Sequence, residues 1–283
     1  MRETLHLLIV ALLVLGVGIV VWRVAFVESD SSPLTIALVR GDVELERDGA
    51  SAPVIAGALL QDNDRVISGE DGVAVIAVGE ESQLTLESSS AMRVVSLDEK
   101  SVEVEMEDGR VNAVVRPGGY EVSVLTGDRA VRAIDAEFSA GTRDGAAAVE
   151  VSRGSVSLEG FGGLTALQSG ERILAPADGA PRRAPIPDEL LLEVAWPARR
   201  SRAEAVTLRG ETEPGARVSI QSPAGLLSAV ADEQGRFEVT VALDAGANPV
   251  LVSSEGLLGD TRSAKQSLTR DDEGPTADFE VRY

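Results

Sequence analysis

Cysteine is absent from the 283 residues. That excludes disulfides, thiolate metal sites and cysteine catalysis. It also excludes attachment as a bacterial lipoprotein, which needs an N-terminal cysteine. Histidine occurs once, as His6 at the edge of an apolar run, so no Ser–His–acid triad can be assembled in the rest of the chain. Aromatics make up only 3%. A core must then be built from Val, Leu, Ile and Ala, and rings for sugar stacking are few: Tyr120, Phe138, Phe161, Trp196, Phe237, Phe279 and Tyr283 are the whole set beyond the N-terminal run. Basic residues are outnumbered 26 to 46 by acidic ones, a net charge of −20. Phosphate backbones repel such a surface, so no nucleic-acid partner is expected.

Catalytic motifs are missing as well. There is no G-x-S-x-G, S-x-x-K or H-E-x-x-H, and no phosphate-cradling loop. Glu103, Glu105 and Glu107 could be imagined as an acid pair for glycoside chemistry. That chemistry needs two carboxyls about 5–10 Å apart with split pKa values, whereas carboxylates alternating along one strand read as a solvated face. Asp62-Asn63-Asp64 and Asp271-Asp272-Glu273 come nearest to calcium loops, but neither has the ordered D-x-D-x-D-G spacing. No catalytic, cofactor-binding or metal-ligating residue is assigned, and the chain is expected not to be an enzyme.

What is present begins with an apolar run. From Leu7 to Trp22 no residue is charged or strongly polar. As a helix it spans roughly 24 Å, and Leu5 and Val24–Val27 can extend it towards a bilayer core of about 30 Å. Trp22 suits the interface and Arg23 can snorkel to the headgroups. Residues 1–27 therefore read as a transmembrane signal anchor. A cleaved signal peptide is the rival reading, but Trp22-Arg23-Val24-Ala25-Phe26 lacks an A-x-A cleavage pattern. With a short stub before the run and a long acidic remainder after it, the N-terminus is expected in the cytoplasm and the bulk outside. This places the chain in a bacterial inner membrane, its body periplasmic.

Residues 28–33 form a polar tether, and strands follow it. Val102, Val104 and Met106 alternate with Glu103, Glu105 and Glu107, a period of two that puts the apolar set on one face. Asp108-Gly109 then predicts a hairpin turn before Val111, Ala113 and Val115 resume the alternation. Val73–Val78 is apolar on both faces and predicts a buried central strand. Glu70-Asp71-Gly72, Arg153-Gly154 and Ser169-Gly170 separate further short strands. No stretch shows helical period, so residues 34–175 are expected to form an all-β sandwich or barrel.

Residues 176–187 hold four prolines and read as a stiff linker. Arg182 and Arg183 lie there, and Arg199, Arg200 and Arg202 follow closely. This is the one basic cluster in an acidic chain. It reads either as a solvated interdomain segment or as a docking site for an acidic partner or an acidic face of a neighbouring domain. Residues 188–270 predict seven strands: Leu190–Val194, Val206–Arg209, Arg217–Gln221, Leu227–Ala231, Phe237–Val241, Pro249–Ser253 and Ser263–Leu268. That density indicates an immunoglobulin-like sandwich. Residues 271–283 are a polar tail with a strand-like stretch at Asp278–Arg282.

The first module resembles the FecR domain. The resemblance rests on an ordered series: Gly41-Asp42-Val43, Ala56-Gly57, Leu60, Asp64-Arg65-Val66, Ser68-Gly69, Ala74–Ala77 and Leu84-Thr85-Leu86. It continues through Gly109-Arg110-Val111, Val122–Thr126, Ala136-Glu137-Phe138, Val149-Glu150-Val151, Gly154-Ser155-Val156 and Ser169-Gly170-Glu171. Ile134-Asp135 stand where the family usually shows Gly-Thr. The resemblance implies a periplasmic β-sandwich or jelly-roll-like domain that meets another protein. The second module is similar to bacterial Ig-like repeats, through Gly210–Val218, Asp232–Phe237 and Leu243–Asn248 with Val250-Leu251-Val252. In the FecR regulators a cytoplasmic segment controls a sigma factor. Here only about six residues precede the apolar run and the C-terminal module is Ig-like, so direct sigma-factor control is not expected. The expectation is a membrane-anchored envelope protein that binds a protein partner in sensing or assembly. The alternative is a binder of peptidoglycan or another glycan, with the Ig-like module as spacer.

Overall fold

The structure, a computed structural model, describes residues 32–271. The expected anchor over 1–27, residues 28–31 of the tether and the strand-like stretch at Asp278–Arg282 lie outside the described residues. The described residues contain strands and no helix.

The first module runs through β1 (Leu34–Arg40), β2 (Val43–Arg47), β3 (Ala50–Pro53), β4 (Arg65–Ser68), β5 (Val73–Val78), β6 (Ser82–Leu86), β7 (Ser90–Leu97) and β8 (Ser101–Val115). It continues with β9 (Glu121–Thr126), β10 (Arg129–Ala133), β11 (Ala136–Arg143), β12 (Ala146–Glu159), β13 (Ala166–Gln168), β14 (Glu171–Ala175) and β15 (Arg182–Pro185). One sheet has the order β1-β5-β6-β8-β11-β12-β14-β15. The other has the order β3-β2-β4-β7-β8-β9-β10-β12-β13. Valine and alanine dominate the core between them, with Leu34, Ile76, Leu84, Val104, Val124 and Phe161 fully buried.

β8 and β12 belong to both sheets, which corrects two expectations. No hairpin forms at Asp108-Gly109. β8 continues without a chain reversal, pairing β7 and β9 with its first half and β6 and β11 with its second. Gly109 bends it at φ +84°, where an added Cβ would fall on Ser90. β12 likewise passes through Arg153-Gly154 without a break. Gly154 has φ +77°, and a Cβ there would strike the carbonyl of Asp135. Strands that switch sheets at a bend are how two crossed sheets close a corner, and glycine supplies the bend because positive φ costs it little.

Two smaller differences follow from the same topology. β5 lies next to the edge strand β1, with only Ala74, Ile76 and Val78 facing the core, while Val73, Val75 and Ala77 are half-buried. Within the proline-rich 176–187, β15 pairs antiparallel with β14.

The second module comprises β16 (Leu192–Ala195), β17 (Arg200–Ser201), β18 (Ala205–Thr212), β19 (Arg217–Ser222), β20 (Gly225–Val230), β21 (Arg236–Ala242), β22 (Gly246–Glu255) and β23 (Thr261–Arg270). They form a three-stranded sheet, β16-β18-β21, and a five-stranded sheet, β17-β23-β22-β19-β20. Leu208, Val218, Ile220, Phe237, Val250 and Val252 fill the space between.

The modules meet through a buried ion cluster. Arg172 on β14, 4% exposed, donates to Glu213 in the β18–β19 loop and lies 3.2 Å from Glu150 on β12. Around it, Leu257 and Leu258 of the second module pack on Ala146, Ala148 and Leu174 of the first. Gly141 approaches so closely that a Cβ would strike the Leu257 carbonyl. Arg143 donates to the Gly215 carbonyl at 3.3 Å. Burial pushes the carboxyls of Glu150 and Glu213 above their ordinary range, against the pull of Arg172, and Asp260 adds to the rise.

Two outcomes test this account. Gly109→Val should destabilise the chain by about 2–4 kcal/mol, through strain and overpacking together. Gly118→Ala, also at positive φ but with open space around it, should cost only about 1–2 kcal/mol. Thermal melts of both variants measure the contrast.

Arg172→Met should cost about 3–5 kcal/mol at neutral pH, because it strands two buried carboxylates. A carboxyl whose folded pKa lies above its unfolded one binds its proton more readily in the fold. Its contribution is fullest below the ordinary carboxylate pKa and is lost as pH rises through the raised value. The loss in Arg172→Met should therefore shrink as pH falls from neutral. Denaturant titrations across pH would show this, and a pH-independent loss would contradict it.

Candidate functional site

The outward face of the first module's β3-β2-β4-β7-β8-β9-β10-β12-β13 sheet carries a ladder of charge. Antiparallel register sets Glu46, Arg65, Arg93 and Glu105 side by side on β2, β4, β7 and β8. Arg65 and Arg93 are thus direct cross-strand neighbours, and like charges so placed repel. Glu107, two residues along β8 on the same face, resolves the conflict. One of its oxygens accepts from Arg65 Nε at 2.5 Å, the other from Arg93 Nε at 2.9 Å. Arg65 also reaches Glu46 at 3.1 Å, and Arg93 lies 3.8 Å from Glu105. Burial pushes the Glu107 carboxyl up, but hydrogen bonds from Arg93 and Arg65 outweigh it and hold the pKa below the ordinary range. Glu107 is therefore an ion-pair acceptor, the opposite of a glycosidase acid, whose pKa must be raised.

Clefts open on both sides of the Arg93–Glu107 pair. One, of about 390 Å³, is bordered by Glu46, Asp48, Asn63 and Arg65. The other, of about 620 Å³, is bordered by Glu105, Thr126, Asp128, Arg129 and Thr142. The Thr126 hydroxyl, on a residue 1% exposed, has no hydrogen-bond partner among the described residues. Such a group gains from any donor or acceptor brought to it. The ladder and clefts form a polar face of mixed sign.

In the Asp62-Asn63-Asp64 stretch, Asp64 has a structural use. Asp64 is 1% exposed and accepts from Arg47 Nε at 2.7 Å and from the Gln61 backbone at 2.7 Å. Among the described residues no group of three His, Asp or Glu is placed to hold a metal ion. The sequence-predicted basic cluster is divided between the modules. Arg182 and Arg183 sit on β15 of the first, and Arg183 is paired with Glu171. Arg199, Arg200 and Arg202 lie at β17, on one edge of the five-stranded sheet, and are exposed. The aromatics offer no fully exposed ring among the described residues. Phe138, Phe161 and Phe237 are buried, while Tyr120 and Trp196 are partly covered against the two cores.

Sequence reasoning found Glu105 and Glu107 of the ladder but not Arg65 and Arg93. Both lie in strands distant along the chain, and only sheet order brings them to Glu107. The interface residues Glu150, Arg172 and Glu213 were missed for the same reason. The run Ala146-Ala147-Ala148, small on both faces, is the local trace of a strand covered from two sides.

A family model described as FecR protein matches residues 64–157. The matched span runs from the start of β4 into the second half of β12 and holds Arg65, Arg93, Glu105 and Glu107. Among solved structures, the chain is similar to two crystal structures of a proposed anti-sigma factor from Parabacteroides distasonis ATCC 8503. Identities are 20% and 21%, with a TM-score of 0.38, covering 43% of this chain and 59% of that one. It is also similar to a Ca²⁺-stabilised adhesin with which an Antarctic bacterium binds ice, at 14% identity and a TM-score of 0.22, covering 82% of this chain and 65% of that one. The chain spans less than two thirds of each of these structures. No curated protein matches it.

Replacing Glu107 tests the ladder. Glu107→Gln leaves Arg65 and Arg93 facing each other and should cost about 1–2 kcal/mol, against about 0.5 kcal/mol or less for Glu105→Gln. Because the folded pKa of Glu107 is depressed, its contribution is present above the ordinary carboxylate pKa and is lost as pH falls through the depressed value. The two variants should therefore converge in stability in acid, as chemical denaturation at descending pH would show.

Proposed function

We propose that this chain is a non-catalytic, membrane-anchored protein of the bacterial envelope, whose first module binds another protein in sensing or assembly. The FecR match over residues 64–157 carries the proposal, since that span contains Arg65, Arg93, Glu105 and Glu107 of the ladder and borders the cleft beside Thr126. A polar face of mixed charge suits a protein surface of complementary pattern, where charge sets register and partner choice. The anchor reading rests on the apolar run Leu7–Trp22. The second module supports the Ig-like reading by its strand order: β16-β18-β21 faces β17-β23-β22-β19-β20, with β17 parallel to β23. Locked to the first by Arg172, it serves as a rigid extension. The glycan-binding alternative is disfavoured by the covered aromatics, since stacking on sugars needs an open ring face.

In-cell photo-crosslinking tests this reading. A photoreactive residue at Glu105 or Asp128 should yield a discrete protein adduct, whereas the same residue at Arg182 or Arg200 should not. Adducts only at the arginine positions would move the docking site to the basic cluster. Retention on purified cell-wall sacculi without any protein adduct would favour the glycan reading. A reporter enzyme active only outside the cytoplasm, fused after Asp271, should be active and should stay in the membrane pellet through a high-salt wash.

A further inference from the structure

The sheet edges of this protein are mostly protected against further pairing. β3 and β15 carry Pro53 and Pro185, β16 carries Glu193, β17 carries Arg200, β21 carries Arg236 and Glu238, and β1 ends in Arg40. Prolines and charges of this kind keep an edge from recruiting another strand. β20 is different. Among the described residues it pairs only with β19, and its sequence Gly225-Leu226-Leu227-Ser228-Ala229-Val230 has neither charge nor proline. Leu226 is 72% exposed, Leu227 38% and Val230 45%. Leu226 and the exposed Leu251 flank Gln221 in one cross-strand row, which widens the apolar strip. The charges closest to this strip in register are Arg217, opposite Val230, and Lys265, opposite Leu251. The one acid in those rows, Glu255, lies 3.6 Å from Arg110 of the first module.

An edge of this kind takes an extended segment as an added strand. The segment that fits should alternate apolar with polar residues and approach through acidic ones. Residues 271–283 have that pattern: Asp271-Asp272-Glu273 come first, and Phe279, Val281 and Tyr283 later alternate with Glu280 and Arg282. The segment cannot easily reach its own β20. In the sheet, β23 and the position beyond β20 are separated by four strand spacings, about 19 Å. Arg270 stands beside Gly246, whereas β20 begins near the level of Val250, a further shift of about 13 Å along the strands. The direct path is thus about 23 Å, and the chain from Arg270 to Ala277 spans at most about 24 Å when fully extended. Nothing remains for the detour around the β19–β20 turn. We propose that residues 277–283 of a second copy of this chain add to β20 as a sixth strand of the five-stranded sheet.

The test uses the full chain in detergent, followed by sedimentation, with a fluorescent peptide of residues 274–283 as probe. The wild type should dimerise with concentration. A Phe279→Lys/Val281→Lys variant should be monomeric yet bind the peptide. Leu226→Lys, and independently Val230→Lys, should weaken peptide binding by about tenfold or more and abolish the dimer, with melting curves that confirm a folded chain. Four results would overturn the proposal: failure of the peptide to bind the tail variant, dimers that survive the tail substitutions, peptide binding indifferent to both edge substitutions, and a monomeric wild type that takes up peptide only once its own tail is altered. The second would indicate direct pairing of two β20 edges, and the last would place the segment on its own β20.

Discussion

β8 and β12 are each shared by two sheets, and the rest of the first module is arranged around that double membership. On β8 the buried residues are Val102, Val104 and Met106 before Gly109, then Val111, Ala113 and Val115 after it. The inward positions change from even to odd numbers across the glycine. On β12, Ala147, Val149 and Val151 give way to Val156 and Leu158 across Gly154, a change from odd to even. A straight strand with either pattern would turn half its apolar side chains to water, since side chains alternate strictly. The bend rotates the second half so that both sets face the same core. Two glycines thereby let one hydrophobic interior be walled by two sheets without a break in either strand.

Charge inside an acidic molecule is handled by sharing. Glu107 serves two arginines that sheet register forces together, and Arg172 serves two carboxylates from different modules. The arrangements mirror each other but differ in surroundings. The ladder stays in contact with water, where ion pairs are individually weak. The Arg172 cluster is almost closed off, and its worth lies in what its disruption would leave behind rather than in attraction.

Much of this organisation was legible in the residues. The all-β class, the alternation at 102–107 and the seven strands of the second module follow from period and turn chemistry, which are local. Each predicted strand of that module overlaps an observed one, and only the two-residue β17 has no counterpart. The hairpin expected at Asp108-Gly109 shows where local reasoning stops. A parity change across an Asp-Gly pair fits a chain reversal and a sheet-switching bend equally well. What selects the bend is the pairing of β8 with β6, β7, β9 and β11, none of which is written near residue 109. The candidate site divides along the same line. Glu105 and Glu107 stand in one strand and were visible together, whereas Glu46, Arg65 and Arg93 join them only through sheet order. Arg182 and Arg183 are close in sequence to Arg199, Arg200 and Arg202, yet the fold assigns them to different modules.

The contact at Arg172 also has a mechanical meaning. Any load that draws the second module away from the first passes through the junction at Arg172. Pulling the junction apart strips Arg172 of Glu213 while Glu150 remains, and a stranded charge offers no intermediate resting state. Short-range, buried contacts of this kind hold with little give and then part abruptly. The two modules would behave under tension as a stiff strut with a defined breaking point, and they would return to one register when the load is removed.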